Sequence, residues 1–294
     1  MSPMTQKPYQ NLHGDLTSIA SQLRWGEDLL FEQGIADAAL SARLILAYVL
    51  AKPSSFLLAR PETSLVPQEL LSFKALMIRR SKHEPIAYLL GEKEFYGLPF
   101  NVSPDVLIPR PETELIIDLV RQKCHDQAQS LSVIDIGTGS GAIAVTVKKH
   151  CPWLELTAID ICTKALKVAQ DNAKKHEVKI QWVQSDLLEQ VDGRFDILLA
   201  NLPYVSVEAM SDLSQEVLYE PKLALDGGSQ GLVLYARLLE QAKAKLSSGA
   251  DLFFEIGWDQ REVLQKLCSI HPYTCIQVYK DLQGHDRVVH LRKG

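Results

Sequence analysis

Between residues 132 and 291 short apolar runs alternate with segments of helical periodicity, and this alternation is what most restricts the fold. Residues 132–136, 155–160, 179–185, 196–201, 251–256, 274–280 and 287–291 read as strands. Helix faces fall between them: Ala165, Ala169 and Ala173 form a small apolar stripe, Leu232, Tyr235, Leu239, Ala242 and Leu246 a longer one, and Val263, Leu264, Leu267 and Cys268 a third. Runs that are apolar on both faces need cover on both sides, so the expected fold class is α/β, a doubly wound seven-stranded, mostly parallel sheet. The last two runs have no helix between them, which predicts an antiparallel final strand.

The run 196–201 ends in a corner of unusual chemistry, Asn201-Leu-Pro-Tyr204. Pro203 cannot donate to a ladder and pushes Leu202 out of the helical region, so pairing stops at Asn201. One amide side chain, one carbonyl held extended and one aromatic ring are left at the carboxyl end of a buried strand. That end is where ligands sit in open α/β sheets.

A glycine loop, Gly137-Thr-Gly-Ser-Gly141, follows the first of these strands and opens a helix. Gly137, Thr138, Gly139, Ser140 and Gly141 let the backbone turn tightly and approach a ligand. Asp160 lies at the end of the next strand, where a carboxylate can accept both ribose hydroxyls. Gly137, Gly139 and Ala142 also satisfy the dinucleotide pattern, so the loop alone divides between nicotinamide or flavin binding and S-adenosylmethionine binding. Two features favour the methyl donor. Asp135 precedes the loop, while Ser185-Asp186 ends the third strand where a carboxylate can meet an adenine amine. The Asn-Leu-Pro-Tyr corner then has no use in hydride transfer.

Residues 12–91 read as helical. Leu16, Ile19, Ala20, Leu23 and Leu30 follow Asp15, a candidate cap, and Gly34 ends that helix. Asp37 is expected to cap a second helix with Leu40, Leu44, Ala47, Tyr48 and Ala51 on its face. A third starts near Pro67, with Leu70, Phe73 and Met77 inward, and Arg79, Arg80 and Lys82 read first as cations at its carboxyl end, ahead of partner binding. From Gly91 the stretch 94–103 reads as a hairpin or extended connector. Pro109 and Pro111 then impose an extended path that is either a rigid linker or part of a site wall. The expected division is a helical domain over 1–91, a hairpin and linker over 92–111, and an α/β domain over 112–294.

Charge and cysteine usage exclude several classes. Residues 1–110 carry 11 basic and 11 acidic side chains and the remainder 20 against 25, so the net charge of −5 comes with no bulk basic footprint for phosphate neutralisation. The five cysteines are scattered without a Cys-x-x-Cys pair, and the histidines do not cluster, which predicts reduced thiols and no metal site. The polar stretch 1–11 has no signal-peptide core, and no apolar run approaches the roughly 18 residues of a membrane span.

Seven motifs together carry a family resemblance: Glu84-Pro-Ile-Ala-Tyr-Leu-Leu-Gly91, Glu94-Phe-Tyr-Gly97, Leu107-Ile-Pro-Arg-Pro-Glu-Thr-Glu114, Asp135-Ile-Gly-Thr-Gly-Ser-Gly141, Asn201-Leu-Pro-Tyr204, Tyr219-Glu-Pro221 and Glu255-Ile-Gly257. Over nearly its whole length the chain resembles the peptide chain release factor glutamine methyltransferases. The resemblance implies a Rossmann-like fold and methyl transfer from S-adenosylmethionine to the glutamine amide of a release factor Gly-Gly-Gln motif. It implies a cofactor site of Gly137, Thr138, Gly139, Ser140 and Gly141 along methionine and ribose, Asp160 on the ribose, and Asp186 and Leu187 beside adenine. Asn201, Leu202, Pro203 and Tyr204 become the catalytic corner, with Asn201 also beside the cofactor. Arg110 to Thr113 close the methionine side, and Glu220 and Pro221 shape the acceptor pocket.

The family carries Asn-Pro-Pro-Tyr, and this chain has Leu202 at the first proline. An amide nitrogen is a poor nucleophile because its lone pair is delocalised. The expected chemistry is therefore orientation: the Asn201 side-chain oxygen accepts one amide hydrogen, the Leu202 carbonyl accepts the other, and Tyr204 stacks on the planar acceptor. A carbonyl survives a proline-to-leucine change, so ring rigidity is lost and the chemistry kept. The remaining expectations are docking of a release factor by the helical domain, a cytoplasmic monomer, and no stable nucleic-acid or membrane partner. The alternatives are an adenine amino-methyltransferase acting on DNA or RNA, which the acidic balance disfavours, and a cofactor-binding protein without turnover.

Overall fold

A computed structural model describes residues 16–124 and 130–294, so Asp15 and the stretch 1–11 lie outside the described residues. The chain divides into two units, one up to Leu90 and one over Gly91–Gly294. In the first, helices α1 (Ile19–Glu32), α2 (Ala38–Leu50), α3 (Ser54–Ala59), α4 (Pro67–Arg80) and α5 (Ile86–Leu90) enclose Ile19, Leu30, Ile45, Leu46, Leu57, Phe73 and Met77. Ser18 caps α1 by accepting from the Ser21 N–H. Leu16 and Ala20, expected on its inner face, are exposed.

Helix α2 corrects two expectations. Its buried face is Ala38, Ser41, Ala42, Ile45 and Leu46, while Leu40 and Tyr48 are half exposed. The helix is apolar around most of its circumference, so periodicity alone cannot choose a face. Asp37 stands at the cap position but its side chain caps nothing. Its carboxylate accepts from Ser41 Oγ at 3.0 Å and Arg80 Nη2 at 2.9 Å. Arg80, expected as a cation at the carboxyl end of α4, is 1% exposed and also donates to Ser41 Oγ and the Glu84 carbonyl.

The second unit opens on a hairpin, β1 (Glu92–Phe95) and β2 (Leu98–Asn101), whose turn residues Tyr96 and Gly97 both have positive φ, 53° and 72°. Two left-handed residues match the right-handed twist of flanking strands. The hairpin belongs to the α/β body: Tyr96 N donates to Glu114 Oε1, and buried Asn172 grips both the N–H and the carbonyl of Asn101. A 3-10 turn over Pro111–Thr113 leads into α6 (Glu114–Cys124).

The main elements follow as β3 (Ser132–Ile136), α7 (Ala142–His150), β4 (Glu155–Asp160), α8 (Thr163–Lys175), β5 (Gln181–Gln184), β6 (Phe195–Ala200), α9 (Val233–Lys245), β7 (Leu246–Glu255), α10 (Arg261–Ser269), β8 (Tyr273–Lys280) and β9 (Asp286–Lys293). They give a seven-stranded sheet in the order β5-β4-β3-β6-β7-β9-β8, with β9 antiparallel to both neighbours. Alternate residues feed two cores. Ile134, Ile136, Leu198 and Ala200 meet α9 and α10, while Val133, Ile197 and Leu199 meet α6 and α7. Two boundaries differ from expectation: β5 is shorter than residues 179–185, and β7 claims Leu246 from the preceding helix. Residues 185–194 between β5 and β6 form bends and turns.

Candidate active site

The chain lays β3, β4 and β5 outward in one direction, then returns to place β6 on the other side of β3. This reversal opens a crevice beyond the carboxyl ends of β3 and β6, where Ile136 pairs with Ala200. The next residue on each strand is Gly137 and Asn201. Glycine loop and Asn-Leu-Pro-Tyr corner therefore face each other because of strand order alone. A cavity of about 320 Å³ lies here, walled by Ile136, Ile159, Ile161, Leu187 and Leu202 among others.

The loop requires glycine at three positions. Gly137, Gly139 and Gly141 have φ of 68°, 56° and 80°. A Cβ on Gly137 would stand 3.0 Å from Leu202 Cδ2, and one on Gly141 3.0 Å from Ala169 Cβ on α8. The loop is pinned at four points. Thr138 N donates to the Ile159 carbonyl at 2.8 Å, Gly139 N to Asp160 Oδ2 at 2.9 Å, and Thr138 Oγ1 to Asp135 Oδ2 at 2.6 Å, while the Ser140 carbonyl accepts from Asn172 Nδ2 at 2.8 Å. Burial pushes the Asp135 carboxyl up to about 7.

Asp160 and Asp186 both line the cavity. Asp160 accepts from Gly139 N and, through its other oxygen, from Cys162 N at 2.9 Å, with the Ile161 N–H also acting on it, so part of its accepting capacity is left for a hydroxyl. Burial raises its carboxyl above the usual carboxylate range. Asp186 is ion-paired with Arg237 at 2.8 Å, so only part of its accepting capacity is open to an adenine amine. Leu187, with φ of 51°, is buried beside it. An apolar slot with carboxylates on β4 and after β5 and a glycine-rich loop over β3 suits an adenosine carrying a charged amino-acid tail.

At the corner, Asn201 Nδ2 donates to Thr113 Oγ1 at 3.0 Å, and Thr113 Oγ1 donates to Glu255 Oε2 at 2.6 Å. Among the described residues, neither Asn201 Oδ1 nor the Leu202 carbonyl accepts a hydrogen bond. Leu202 N donates to the Tyr235 hydroxyl at 3.2 Å, and that hydroxyl donates to the Glu255 carbonyl. Asn201, Leu202 and Pro203 line the cavity; the Tyr204 ring packs on the core beside it, with its hydroxyl 3.4 Å from Glu255 Oε1. Burial pushes the Glu255 carboxyl up to about 7, and burial first, then Glu255, raises the Tyr204 hydroxyl. From behind, Gln260 Nε2 holds the Tyr204 carbonyl at 2.9 Å while its Oε1 accepts from Gly257 N at 2.8 Å.

The proline-rich segment is part of the wall: Pro109, Arg110 and Thr113 line the cavity. Glu220, 5% exposed, accepts from Ile108 N at 2.9 Å and pairs with Arg110. Pro221 lines the cavity as well. Sequence reasoning left Asn172, Arg237 and Gln260 unassigned, and placed Tyr235 only on a helix face and Glu255 only within a motif. Glu255 did leave a signal, a lone charge ending the apolar run Leu252-Phe-Phe on a central strand. Asn172 left none, because a polar residue on a lysine-rich helix reads as solvated.

Among the described residues no helix is long and apolar enough to cross a membrane, and no cluster of His, Cys, Asp and Glu could hold a metal ion. Residues 21–91 match the PrmC N-terminal domain and residues 112–246 the methyltransferase small domain. The release factor glutamine methyltransferase of Geobacter sulfurreducens is 35% identical over 293 residues, covering 99% of this chain and 100% of that protein. That of Bacillus subtilis is 36% identical over 282 residues, covering 93% and 97%. A Rickettsia bellii bifunctional methyltransferase is 34% identical over 303 residues, and the chain spans 54% of its length. In fold, the chain is similar to the hMettl16 catalytic domain (TM-score 0.55, 16% identity, 74% of this chain and 81% of that one) and to a methyltransferase from Pyrococcus furiosus (0.50, 19%, 75% and 96%). With near-full-length relatives at this identity, the chain belongs to the release factor glutamine methyltransferase family.

Proposed function

We propose that this protein transfers a methyl group from S-adenosylmethionine to the side-chain amide nitrogen of the glutamine in the Gly-Gly-Gln motif of peptide chain release factors. The observation that carries the reading is the pair of open acceptors, Asn201 Oδ1 and the Leu202 carbonyl, beside the glycine loop at the switch point of the sheet. When bound, S-adenosylmethionine supplies an electrophilic sulfonium methyl. Gly137 to Gly141 admit its methionine end, Asp160 the ribose hydroxyls, and Asp186 with Leu187 the adenine.

A carboxamide NH2 offers two hydrogens, and the corner offers two oxygens. Holding both hydrogens fixes the amide plane and turns the nitrogen lone pair to the methyl, with the acceptors stabilising the positive charge that develops on nitrogen. No base acts before transfer: the amide nitrogen gains the methyl as the sulfonium S–C bond breaks, and the N-protonated product, a strong acid, then gives its extra proton to water, Glu255 being already taken up by Thr113 and Tyr204. Tyr204, expected to stack on the acceptor, instead lies off the cavity lining and backs the corner through its hydroxyl on Glu255. On this reading the helical unit docks the release factor, and the enzyme works as a cytoplasmic monomer without membrane or stable nucleic-acid attachment.

The test is uptake of label from radioactive methyl donor. A release factor should be labelled, while the same factor with its glutamine replaced, and duplex DNA, should not. Label in the DNA and none in the release factor would overturn the reading in favour of an adenine methyltransferase.

A further inference from the structure

We infer that Thr113 and Glu255 are positioning residues that decide which end of the Asn201 side chain faces the acceptor, an inference that rests on the function proposed above. Oxygen and NH2 of an asparagine are nearly the same size, and its terminal torsion is close to two-fold. Packing therefore cannot tell the two orientations apart. Only hydrogen bonds can. If Asn201 presented its NH2 to a glutamine NH2, two donors would meet and the acceptor would be turned away.

The chain of contacts has one polarity. An ionised carboxylate only accepts, so the single proton of Thr113 is committed to Glu255 Oε2 at 2.6 Å. The Thr113 oxygen then has only lone pairs left for Asn201, and it takes the Asn201 NH2 at 3.0 Å. Oδ1 is left for the cavity. The other Glu255 oxygen accepts from Tyr204, and Tyr235 donates to its backbone carbonyl, so the carboxylate is held from several sides. Around it stand Arg287 on β9, which favours the ionised form, Glu112 before α6, which opposes it, and the hydroxyls of Thr113, Tyr204 and Tyr235. Once protonated, Glu255 can donate to Thr113 Oγ1. The Thr113 proton is then free to point at Asn201 Oδ1, and the amide turns over. Thr113 is separated from Asn201 by 88 positions and from Glu255 by 142, so nothing local dictates this chain.

The test compares Thr113→Val, Thr113→Ser and Glu255→Gln in the full-length protein. It reads kcat and KM for release factor methylation, S-adenosylhomocysteine affinity by calorimetry, and the pH profile of kcat. Thr113→Val and Glu255→Gln are expected to lower kcat by at least about tenfold, with KM and S-adenosylhomocysteine affinity within about twofold of the parent. Thr113→Ser, which keeps the hydroxyl, should recover most of the rate lost in Thr113→Val. Parent kcat should fall as pH drops below about 7, and the Glu255→Gln profile should fall less there, keeping only the part that Asp135 beneath the glycine loop contributes. Unchanged kcat in both Thr113→Val and Glu255→Gln would overturn the inference, as would equal loss in Thr113→Ser or a matching loss of S-adenosylhomocysteine affinity. A parent protein that binds S-adenosylhomocysteine yet never methylates a release factor would remove the functional reading and this inference with it.

Discussion

Gly231 packs directly beneath the carbonyl of Tyr204, where a Cβ would overlap both that oxygen and the Gln260 amide that holds it. Its φ of 69° is also in the region that favours glycine. Gly227 repeats the arrangement under Pro203, with a Cβ position 2.6 Å from the Pro203 carbonyl oxygen. The corner at 201–204 is thus backed by bare backbone, and Val205 N and O are tied to Leu225 and Gly227 on the same segment. Gly231→Ala should destabilise the protein by about 2–4 kcal/mol and move the corner, measured as a lower urea midpoint and a fall in methyl transfer.

Asn172 is the internal strut of the cofactor side. With no exposure, it joins the hairpin at Asn101 to the glycine loop at Ser140. Asn172→Leu leaves two carbonyls and one N–H without their partner. The expected cost is about 2–4 kcal/mol of stability. S-adenosylhomocysteine affinity should weaken in parallel, because the loop loses an anchor. Calorimetric titration and denaturant unfolding on the same variant test both.

Asn201→Ala separates chemistry from binding. On the proposed function it deletes an acceptor for the reacting nitrogen, while the glycine loop, Asp160 and Asp186 keep their own partners. Transfer should fall by about two to three orders of magnitude and S-adenosylhomocysteine affinity by less than about threefold. Equal loss of both would remove Asn201 from the role given to it.

What the sequence disclosed follows from the range of each signal. The central strands were legible because Ile197 to Ala200 is apolar on both faces and Val133 to Ile136 nearly so, Asp135 apart, and both are bounded by turn residues. Strand order then brought Gly137 beside Asn201, as the pattern of a doubly wound sheet requires. Polar contacts across the chain were not legible. Arg110 with Glu220, and Thr113 with Glu255, pair residues more than a hundred positions apart and leave no periodic mark. Arg80 shows the same limit in the helical unit. Its position at a helix end fits solvent, but the carboxylate of Asp37 and the Ser41 hydroxyl allow it to be buried.

Leu202→Pro tests how far the departure from Asn-Pro-Pro-Tyr is absorbed. The extended path alone argues for equal or higher activity, since a ring at 202 stiffens the carbonyl proposed to meet the acceptor. The structure adds a cost, because Leu202 N donates to the Tyr235 hydroxyl and its buried side chain packs over Gly137. Proline removes that donor and one carbon of packing. The expected outcome is kcat unchanged or raised together with a loss of about 1–2 kcal/mol of stability, read from parallel kinetics and thermal melts.

Glu255 also makes a stability prediction whose sign differs from its catalytic one. Burial pushes its carboxyl from 4.5 up to about 7 in the folded chain. Below 4.5 both folded and unfolded chains hold the proton, and the stability this group contributes is fully present. Between 4.5 and about 7 the unfolded chain gives up its proton first, so stability declines as pH rises, and above 7 the deficit is constant. Asp135 behaves in the same direction and is present in parent and variant alike, so their difference isolates residue 255. Asp251 is a third buried-side case with the opposite sign. Burial pushes its carboxyl up, but hydrogen bonds from His290, Lys123 and Arg292 outweigh that and hold it below the usual range, so its contribution is lost only under acid conditions below this window. Glu255→Gln is therefore expected to unfold at higher denaturant than the parent at about pH 8, by on the order of 2 kcal/mol, and to lose that advantage near pH 5. The same variant is the one expected to methylate slowly. Denaturant unfolding of parent and variant at the two pH values decides it: an advantage that stayed constant with pH would mean the carboxyl titrates in the ordinary range, and that Glu255 is not the buried acid the fold makes it.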